Sequence, residues 1–269
     1  MPKLASYRVS TDKALDLASF DPAQKPCSAG DKATDKARLE EISTQIGALQ
    51  ELLYANHSRS LLIVLQGMDT SGKDGTVRSV FSGIDPQGVS VVSFKSPTPE
   101  ERDHDFLWRV HPHAPGAGRI AIFNRSHYED VLITRVKGWI DDKEAERRFA
   151  HIRNFEQLLL DRGTSILKCF LHISKEEQKE RLEARLADPS KHWKFDPADL
   201  VERKSWDAYQ HAYEAAMAAT ATKEAPWNVV PANSKTHRNL MVAELVLEVL
   251  QAMKMTPPKA NPAFANLKV

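Results

Sequence analysis

Residues 61–76 have the sequence LLIVLQGMDTSGKDGT, which points most directly to the architecture of this chain. Apolar residues at its start predict a buried strand, and a helix is predicted from about Gly72 or Lys73 to residue 81. Gly67, Gly72 and Lys73 match the G-x-x-x-x-G-K part of a phosphate-binding loop. Glycines let backbone N–H groups converge on phosphate oxygens, and the helix N-terminus and the lysine add positive charge.

The loop departs from the usual motif directly after the lysine. A serine or threonine there normally offers a hydroxyl to magnesium, whereas this chain has Asp74 and delays the hydroxyl to Thr76. Asp69 adds a carboxylate inside the loop. The alternative is an ordinary strand–turn–helix connection in which Gly72 and Asp74 are turn residues. We favour the phosphate loop because strand, glycines, lysine and helix all agree. Its candidate phosphate or nucleotide contacts are Gly67, Thr70, Ser71, Gly72, Asp74, Gly75 and Thr76.

Composition fits one large α/β domain or two small ones. The 269 residues are 42% hydrophobic and 27% charged, so the chain can bury a substantial core. Its 37 basic residues oppose 36 acidic ones, which gives no case for nucleic-acid or membrane partners. The N-terminal sequence lacks a signal-peptide core, no apolar run approaches the ~20 residues of a membrane span, and two cysteines make no disulfide framework. We therefore expect a cytoplasmic protein.

Strand-like and helical patterns alternate along most of the chain. Residues 1–33 are predicted to be extended and irregular, and residues 257–269 to form a loose tail. Thr34 is predicted to cap a helix over 34–56. The predicted strands are 61–65, 89–94, 119–123, 166–173 and 227–230. The predicted helices beyond the first strand are 73–81, 99–110, 126–134, 142–160, 175–186, 199–220 and 236–253. This alternation predicts a mostly parallel five-stranded sheet, flanked by helices, in a single domain over 34–256.

A second polar cluster ends the predicted third strand, within the sequence IAIFNRSHYEDV of residues 120–131. In open parallel sheets, ligands bind beyond the carboxyl ends of the strands. Asn124 and Arg125 are therefore expected to face the phosphate loop. The guanidinium of Arg125 can bind phosphate through two hydrogen bonds.

Glu129 and Arg135, which follow in the predicted helix, each have two interpretations. Ser126 and Glu129 fit the S-x-x-E capping box, in which the glutamate satisfies backbone donors of its own helix. The alternative for Glu129 is a direct role at a metal or nucleotide. Arg135 is either a solvated helix residue or a further phosphate ligand.

Four segments, in order along the chain, resemble the polyphosphate kinase 2 family. They are GMDTSGKDGT (67–76), FNRSHYEDV (123–131), RLEARLADPSKHWKF (181–195) and DLVERKSWDAYQHAYEAAM (199–217). The resemblance implies a P-loop kinase-like three-layer sandwich, and transfer of the terminal phosphoryl group of inorganic polyphosphate to a nucleotide. It also implies a divalent metal, usually Mg2+ with Mn2+ as an alternative, and a homo-oligomer, either dimer or tetramer.

The resemblance implies roles for individual residues. Asp69 resembles the family's loop carboxylate, implicated in metal and nucleotide binding, and Lys73 its phosphate-binding lysine. Arg125 resembles the arginine that contacts phosphates. Asn124 replaces the aspartate of many members, and the segment NRSHYED (124–130) resembles the class III branch, whose members accept nucleoside monophosphates and diphosphates. AMP and ADP are thus the implied acceptors, with guanine nucleotides as further candidates, and Glu129 would supply the missing charge at the metal.

The basic segment after residue 180 also has two interpretations. From composition alone it is a solvated helix end, because neighbouring acids neutralise much of its charge. The resemblance implies instead a basic helical lid over about 182–200, which closes over the phosphates and excludes water. The candidate polyphosphate contacts here are Arg181, Arg185 and Lys194.

Three classes of function remain open from the sequence. They are a polyphosphate:nucleotide phosphotransferase, an ATP-dependent small-molecule kinase on the same fold, and a non-catalytic nucleotide-binding module. The second motif and the basic lid favour the first class, because a polymeric anion needs arginines and lysines beyond the loop. Within that class, an enzyme restricted to ADP or to AMP is the nearest alternative.

Overall fold

The apolar runs predicted as strands form one parallel sheet, in the order β2-β3-β1-β4-β5. The computed structural model describes residues 2–9, 15–259 and 262. The strands are β1 (Ser60–Gln66), β2 (Val89–Ser93), β3 (Ile120–Asn124), β4 (Thr164–His172) and β5 (Trp227–Pro231). Every residue of β1 and β3 is buried, as expected for strands covered on both faces. The prediction of a five-stranded parallel sheet is confirmed.

The register of the sheet brings the two predicted polar segments together. Leu65 at the end of β1 pairs with Asn124 at the end of β3 and with Cys169 in β4. The backbone N–H of Arg125 then donates to the carbonyl of Leu65 at 3.0 Å. The loop after β1 and the segment after β3 therefore leave the sheet side by side.

Two groups of helices cover the sheet and complete a three-layer sandwich. The α-helices of the described residues are α1 (Pro2–Ala5), α2 (Lys32–Asn56), α3 (Lys73–Val80), α4 (Pro99–Asp103), α5 (Glu129–Val136), α6 (Asp142–Asp161), α7 (Lys175–Leu186), α8 (Ala198–Lys204), α9 (Trp206–Thr220) and α10 (Lys235–Ala252). Helix α10 packs against α2 and α3, whereas α5, α6 and α9 pack against one another. None of the described helices combines the length and apolar composition that crossing a membrane requires.

Two predicted helix boundaries are wrong because side chains bind the backbone elsewhere. Asp31, not Thr34, caps α2, since its carboxylate accepts from the N–H of Thr34 at 2.8 Å. The predicted helix 99–110 ends at Asp103. The carboxylate of Asp105 accepts from the N–H of Leu107 at 2.9 Å and stabilises a turn in place of further helix.

Two other helices differ from the prediction in position or continuity. The helix predicted over 126–134 begins only at Glu129 and ends at Val136. The helix predicted over 199–220 is divided at Ser205 into α8 and α9. Helix α8 buries none of its residues, whereas α9 packs Trp206 and Tyr213 into the core, so the two helices need different orientations.

An N-terminal arm, residues 2–9, covers the outer edge of β5. The N–H of Val9 donates to the carbonyl of Trp227 at 2.9 Å, and the N–H of Val229 donates to the carbonyl of Tyr7 at 2.8 Å. Arg8 and Asn228 form an antiparallel bridge between them. Within its described residues, the segment predicted to be irregular thus contains α1, this pairing, a 3-10 turn at Leu17–Ser19 and the start of α2 at Lys32. The predicted tail lies outside the described residues except for 257–259 and 262.

A buried ion pair joins α6 to β4 and contacts Tyr128, which lies three residues after Arg125. The ammonium of Lys168 lies 2.6 Å from a carboxylate oxygen of Glu156, and both side chains are at most 2% exposed. The hydroxyl of Tyr128 donates to the other carboxylate oxygen at 2.7 Å. Burial raises the pKa of Glu156, but the charges and hydrogen bonds of Lys168 and His127 together outweigh burial and hold that pKa below its usual value.

Candidate active site

Two glycines shape the loop between β1 and α3. Gly67 has φ = +149° and Gly72 has φ = +99°, which are backbone conformations that other residues rarely adopt. A Cβ atom at Gly67 would lie 2.7 Å from the carbonyl oxygen of Leu171, and one at Gly72 would lie 1.9 Å from Nη1 of Arg238. Both positions therefore require glycine for conformation and for space.

Two buried arginines hold this loop from the protein interior. Arg181 donates to the carbonyls of Thr70 at 2.9 Å and Ser71 at 3.1 Å, and its charge is paired with Glu177. Arg238 donates to the carbonyl of Ser71 at 3.0 Å. Arg181 is only 8% exposed, so its predicted place in the lid is wrong: it supports the loop from below. Sequence analysis did not identify Arg238, which carries no motif.

Lys73 is buried at the start of α3 and carries its charge into the loop. Its ammonium donates to the carbonyl of Gly67 at 2.7 Å, and the side chain is among those that line the cavity described below. Burial and the nearby charge of Arg125 together lower the pKa of Lys73 to about 8, against the opposing effect of Asp69 and Glu129. Such a cation is poorly solvated and is available to an anion that enters the cavity.

The end of β3 faces the loop, as the sequence predicted. The guanidinium of Arg125 lies 2.5 Å from a carboxylate oxygen of Asp69, and the amide of Asn124 donates to Asp74 at 2.5 Å. Arg125 has φ = +61° and Thr70 has φ = +65°, conformations that are unusual outside glycine and typical of functional sites. Burial lowers the pKa of Arg125, but the charges of Glu129 and Asp69 outweigh it, so this pKa is raised.

The capping-box interpretation of Glu129 is wrong. Helix α5 begins at Glu129 with Tyr128 as the preceding residue, and no side chain caps it. The amide of Gln66, in the orientation that satisfies its neighbours, donates to Oε1 of Glu129 at 3.0 Å. Burial raises the pKa of Glu129, while the charges of Arg125 and Lys73 lower it. Glu129 is not among the residues that line the cavity described below, and its carboxylate interacts electrostatically with Arg125 and Lys73.

These segments enclose a cavity of about 490 Å³ beyond the carboxyl ends of β1, β2 and β3. The loop contributes Asp69, Thr70, Gly72, Lys73, Asp74 and Gly75. The ends of β2 and β3 contribute Ser93, Phe94, Lys95, Asn124 and Arg125. The lid segment, residues 182–200, contributes Arg185, Trp193, Lys194, Asp196 and Asp199. The cavity is the right size for a small polar ligand and is surrounded by cations on three sides.

Several predicted site residues do not line this cavity. Thr76 is fully buried and its hydroxyl donates to the amide oxygen of Asn239 at 3.3 Å, because the first turn of α3 directs it away. Arg135 pairs with Asp142 at 2.8 Å near the surface, which fits its interpretation as a solvated helix residue. Gly67 and Ser71 do not line the cavity. The carbonyl of Gly67 accepts from Lys73, and that of Ser71 accepts from Arg181 and Arg238.

The lid contributes acidic residues that the sequence analysis missed. Asp199 lies in the first turn of α8, 3.8 Å from Arg185. Burial raises the pKa of Asp199 to about 6, and the charge of Asp69 adds to this rise. The carbonyl of Lys194 accepts from Arg185 at 3.3 Å, which ties the lid to the end of α7. The sequence predicted one continuous helix over 199–220. Because α8 is in fact separate from α9, the helical periodicity alone does not reveal that Asp199 lines the cavity.

The residues at the cavity fit a magnesium ion that binds together with phosphate. Among the described residues, no group of three or more His, Cys, Asp or Glu side chains is arranged to hold a metal alone. Mg2+ usually takes one or two protein carboxylates, with water and phosphate oxygens as its other ligands. Asp69 and Asp74 line the cavity next to Lys73 and offer that donor set.

Comparisons with known proteins find a family model, curated relatives and a solved structure that match most of this chain. The family model described as polyphosphate kinase 2 matches residues 29–258. A Meiothermus ruber protein named AMP/ADP-polyphosphate phosphotransferase is 47% identical over 266 residues, which cover 99% of this chain and 100% of that protein. A Rhodopseudomonas palustris protein named ADP-polyphosphate phosphotransferase is 40% identical over 273 residues, covering 97% and 94%. The crystal structure of polyphosphate kinase 2 from Arthrobacter aurescens TC1 superposes with a TM-score of 0.93 at 46% identity, covering 99% of this chain and 93% of that one.

Proposed function

The chain belongs to the polyphosphate kinase 2 family, and on this basis we propose that it is a kinase that transfers the terminal phosphoryl group of inorganic polyphosphate to AMP and ADP. One observation carries the proposal. Lys73 from the loop, Arg125 from the end of β3, and Arg185 and Lys194 from the lid line a single cavity. Cations that converge from three directions suit two polyanions, a donor chain and an acceptor nucleotide, better than one small neutral substrate.

The reaction joins an oxygen of the acceptor's terminal phosphate to the terminal phosphorus of polyphosphate. A new P–O bond forms, the phosphoanhydride bond to the next phosphate breaks, and the chain leaves one unit shorter. The attacking oxygen is largely ionised at neutral pH, so no side chain has to remove a proton. The transition state spreads negative charge over the transferred group, and catalysis is mainly alignment and charge stabilisation.

The protein groups divide this task by position. Lys73 and Arg125 hold the transferred group, because both are cations directed at the same cavity and both are restrained by neighbouring acids. Arg185 and Lys194 bind the chain from the lid, whose closure would exclude water and favour the nucleotide as acceptor. An arginine that contacts the transferred group contributes on the order of 10³-fold to the rate in related chemistry.

Magnesium, with manganese as an alternative, would bind at Asp69 together with Asp74. When bound, the metal supplies charge that screens the repulsion between donor and acceptor phosphates. Glu129 does not line the cavity, so we infer that it adjusts Arg125 and Lys73 electrostatically instead of ligating the metal.

Dual use of AMP and ADP rests on the Meiothermus ruber relative, whose name includes both acceptors and which spans the whole chain. An ADP-only kinase is the second candidate, favoured by the Rhodopseudomonas palustris relative, whose name includes ADP alone. GMP and GDP are further acceptors to test.

The test is an incubation of purified protein with magnesium and long-chain polyphosphate, with AMP or ADP in separate reactions. Formation of ADP and then ATP from AMP would support the dual-acceptor proposal, and ATP from ADP alone would favour the second candidate. Lys73→Met should abolish transfer, whereas Lys179→Met is a matched control on the exposed face of α7. No product from either acceptor would refute polyphosphate as the donor.

We also infer a cytoplasmic homo-oligomer, either a dimer or a tetramer. Support for association comes from large apolar side chains that the described chain leaves exposed, among them Leu158 at 50% and Trp108 at 41%. Light scattering after size exclusion would test the oligomeric state. Cell fractionation would test the cytoplasmic location, which we favour because the proposed acceptor nucleotides are supplied inside the cell.

A further inference from the structure

Trp193 is an exposed aromatic residue at the wall of the candidate active site. It lies in the 3-10 turn Pro189–Lys194 of the lid, lines the cavity, and is 79% exposed. The ammonium of Lys194 lies 4.8 Å from the centre of its indole ring. An indole with this exposure gains little from packing, and its position at a ligand cavity suggests that a ligand covers it.

The acceptor nucleotide limits what that ligand can be. Its phosphates must reach the cavity at Lys73, so its base must lie within the length of one nucleotide from that lysine. A base is a flat aromatic group that proteins commonly bind by stacking. The aromatic side chains that line the cavity are those of Phe94 and Trp193.

Phe94 is already occupied by protein groups. It is only 6% exposed, and its ring makes edge contacts with Phe123 at 5.0 Å and with His113 at 5.8 Å. The guanidinium of Arg109 lies 5.6 Å from its centre. Phe94 is thus too little exposed to accept a stacked base, whereas Trp193 is 79% exposed even with the ammonium of Lys194 near its ring.

We propose that the indole of Trp193 is the stacking platform for the base of the acceptor nucleotide, an inference that rests on the proposed nucleotide kinase function. Stacking on an aromatic side chain changes affinity by roughly 5- to 150-fold per base. It depends on the ring faces and not on the hydrogen-bonding edges, so purines bind better than pyrimidines while adenine and guanine are barely distinguished. Trp193 thus sets a preference for large bases.

The experiment measures nucleotide binding separately from turnover. ADP with magnesium is titrated calorimetrically, without polyphosphate, into the wild type and into Trp193→Ala, Trp193→Phe and Trp139→Ala. Trp139 is the matched control, because it is 68% exposed but does not line the cavity. We expect the Kd for ADP to rise 5- to 150-fold in Trp193→Ala, to be largely restored in Trp193→Phe, and to stay within 2-fold in Trp139→Ala.

Kinetics then separate stacking from a role in lid closure. In Trp193→Ala the KM for ADP should rise, the KM for polyphosphate should stay within 2-fold, and the preference for ADP and GDP over UDP and CDP should shrink. Equal rises in both KM values, or an unchanged Kd for ADP, would overturn the inference. If the wild type binds ADP but makes no ATP from polyphosphate, the proposed function fails, and the calorimetric comparison still decides whether Trp193 stacks.

Discussion

Replacing Lys73 by methionine should abolish phosphoryl transfer and, at the same time, stabilise the folded protein. Lys73 is 8% exposed, and burial lowers its pKa from 10.5 to about 8. At pH 7 the ammonium is charged in both the folded and the unfolded state. The difference between the two pKa values, at 1.36 kcal/mol per pH unit, corresponds to a penalty of about 3 kcal/mol for keeping this charge in the folded protein.

Methionine also removes hydrogen bonds of the ammonium, which reduces the gain in folding stability. The carbonyl of Gly67 loses the ammonium donor at 2.7 Å, and that of Met68 loses its contact at 3.4 Å. Leaving a buried acceptor without its partner costs about 1–3 kcal/mol. The net stabilisation should be about 1 kcal/mol, which raises the Tm of a chain of this size by roughly 2–4 °C.

The pH dependence of the Tm difference between Lys73→Met and the wild type provides a sharper test than the size of that difference at one pH. Because the folded pKa of Lys73 lies below its unfolded value, the penalty is complete below about pH 8 and is lost as the pH rises towards 10.5. The Tm of Lys73→Met should therefore exceed that of the wild type at pH 7, and the difference should narrow by pH 10.

The assay is calorimetric unfolding in phosphate-free buffer, because a bound anion would pair the lysine charge. Lys179→Met, on an exposed side chain, should leave the Tm within about 1 °C. A Tm for Lys73→Met several degrees below the wild type at pH 7, or a difference that widens with pH, would refute the reasoning.

Three further predictions follow from the site and the core. Glu129→Gln should change the ratio of AMP to ADP use, because the carboxylate of Glu129 interacts electrostatically with Arg125 and Lys73, and unchanged kinetics would exclude a role at the site. Gly72→Ala should lose about 1–3 kcal/mol more than Gly138→Ala in urea unfolding, because both have positive φ but only Gly72 meets a side chain, and equal losses would contradict this. Glu156→Gln should cost about 3–5 kcal/mol by leaving Lys168 buried without its partner, while the double variant Glu156→Leu with Lys168→Met should recover most of it. A loss below about 1 kcal/mol for the single change would show that the ion pair matters little.

The meeting of two distant segments could be predicted because it follows from sheet geometry. Apolar runs before Gly67 and Asn124 predicted two parallel strands, and parallel strands end at the same edge. The 2.5 Å contact between Arg125 and Asp69 is a consequence of that arrangement. Likewise, the position of Lys73 at a helix start follows from the strand–loop–helix pattern alone.

Other residues could not be assigned because their local sequence fits two environments. Arg181 lies in a basic, amphipathic helix, and whether it faces solvent or the loop depends on how α7 packs against a segment more than 100 residues away. The S-x-x-E spacing of Glu129 is shared by a capping box and by a residue held by Gln66. Arg238 lies near the polar start of α10 without a motif around it, and its role becomes visible only from its closeness to Gly72.

The N-terminal arm also bears on where a shortened form of this enzyme could begin. A chain trimmed to the family boundary at residue 29 would keep every candidate site residue, yet it would lose the backbone of Tyr7 and Val9 from the outer edge of β5. Unpaired N–H and C=O groups on a sheet edge are a template for another strand. Such a chain would contain the whole catalytic apparatus and still self-associate through its exposed sheet edge. The contribution of the first residues would then be seen in the aggregation of the trimmed chain and not in its turnover rate.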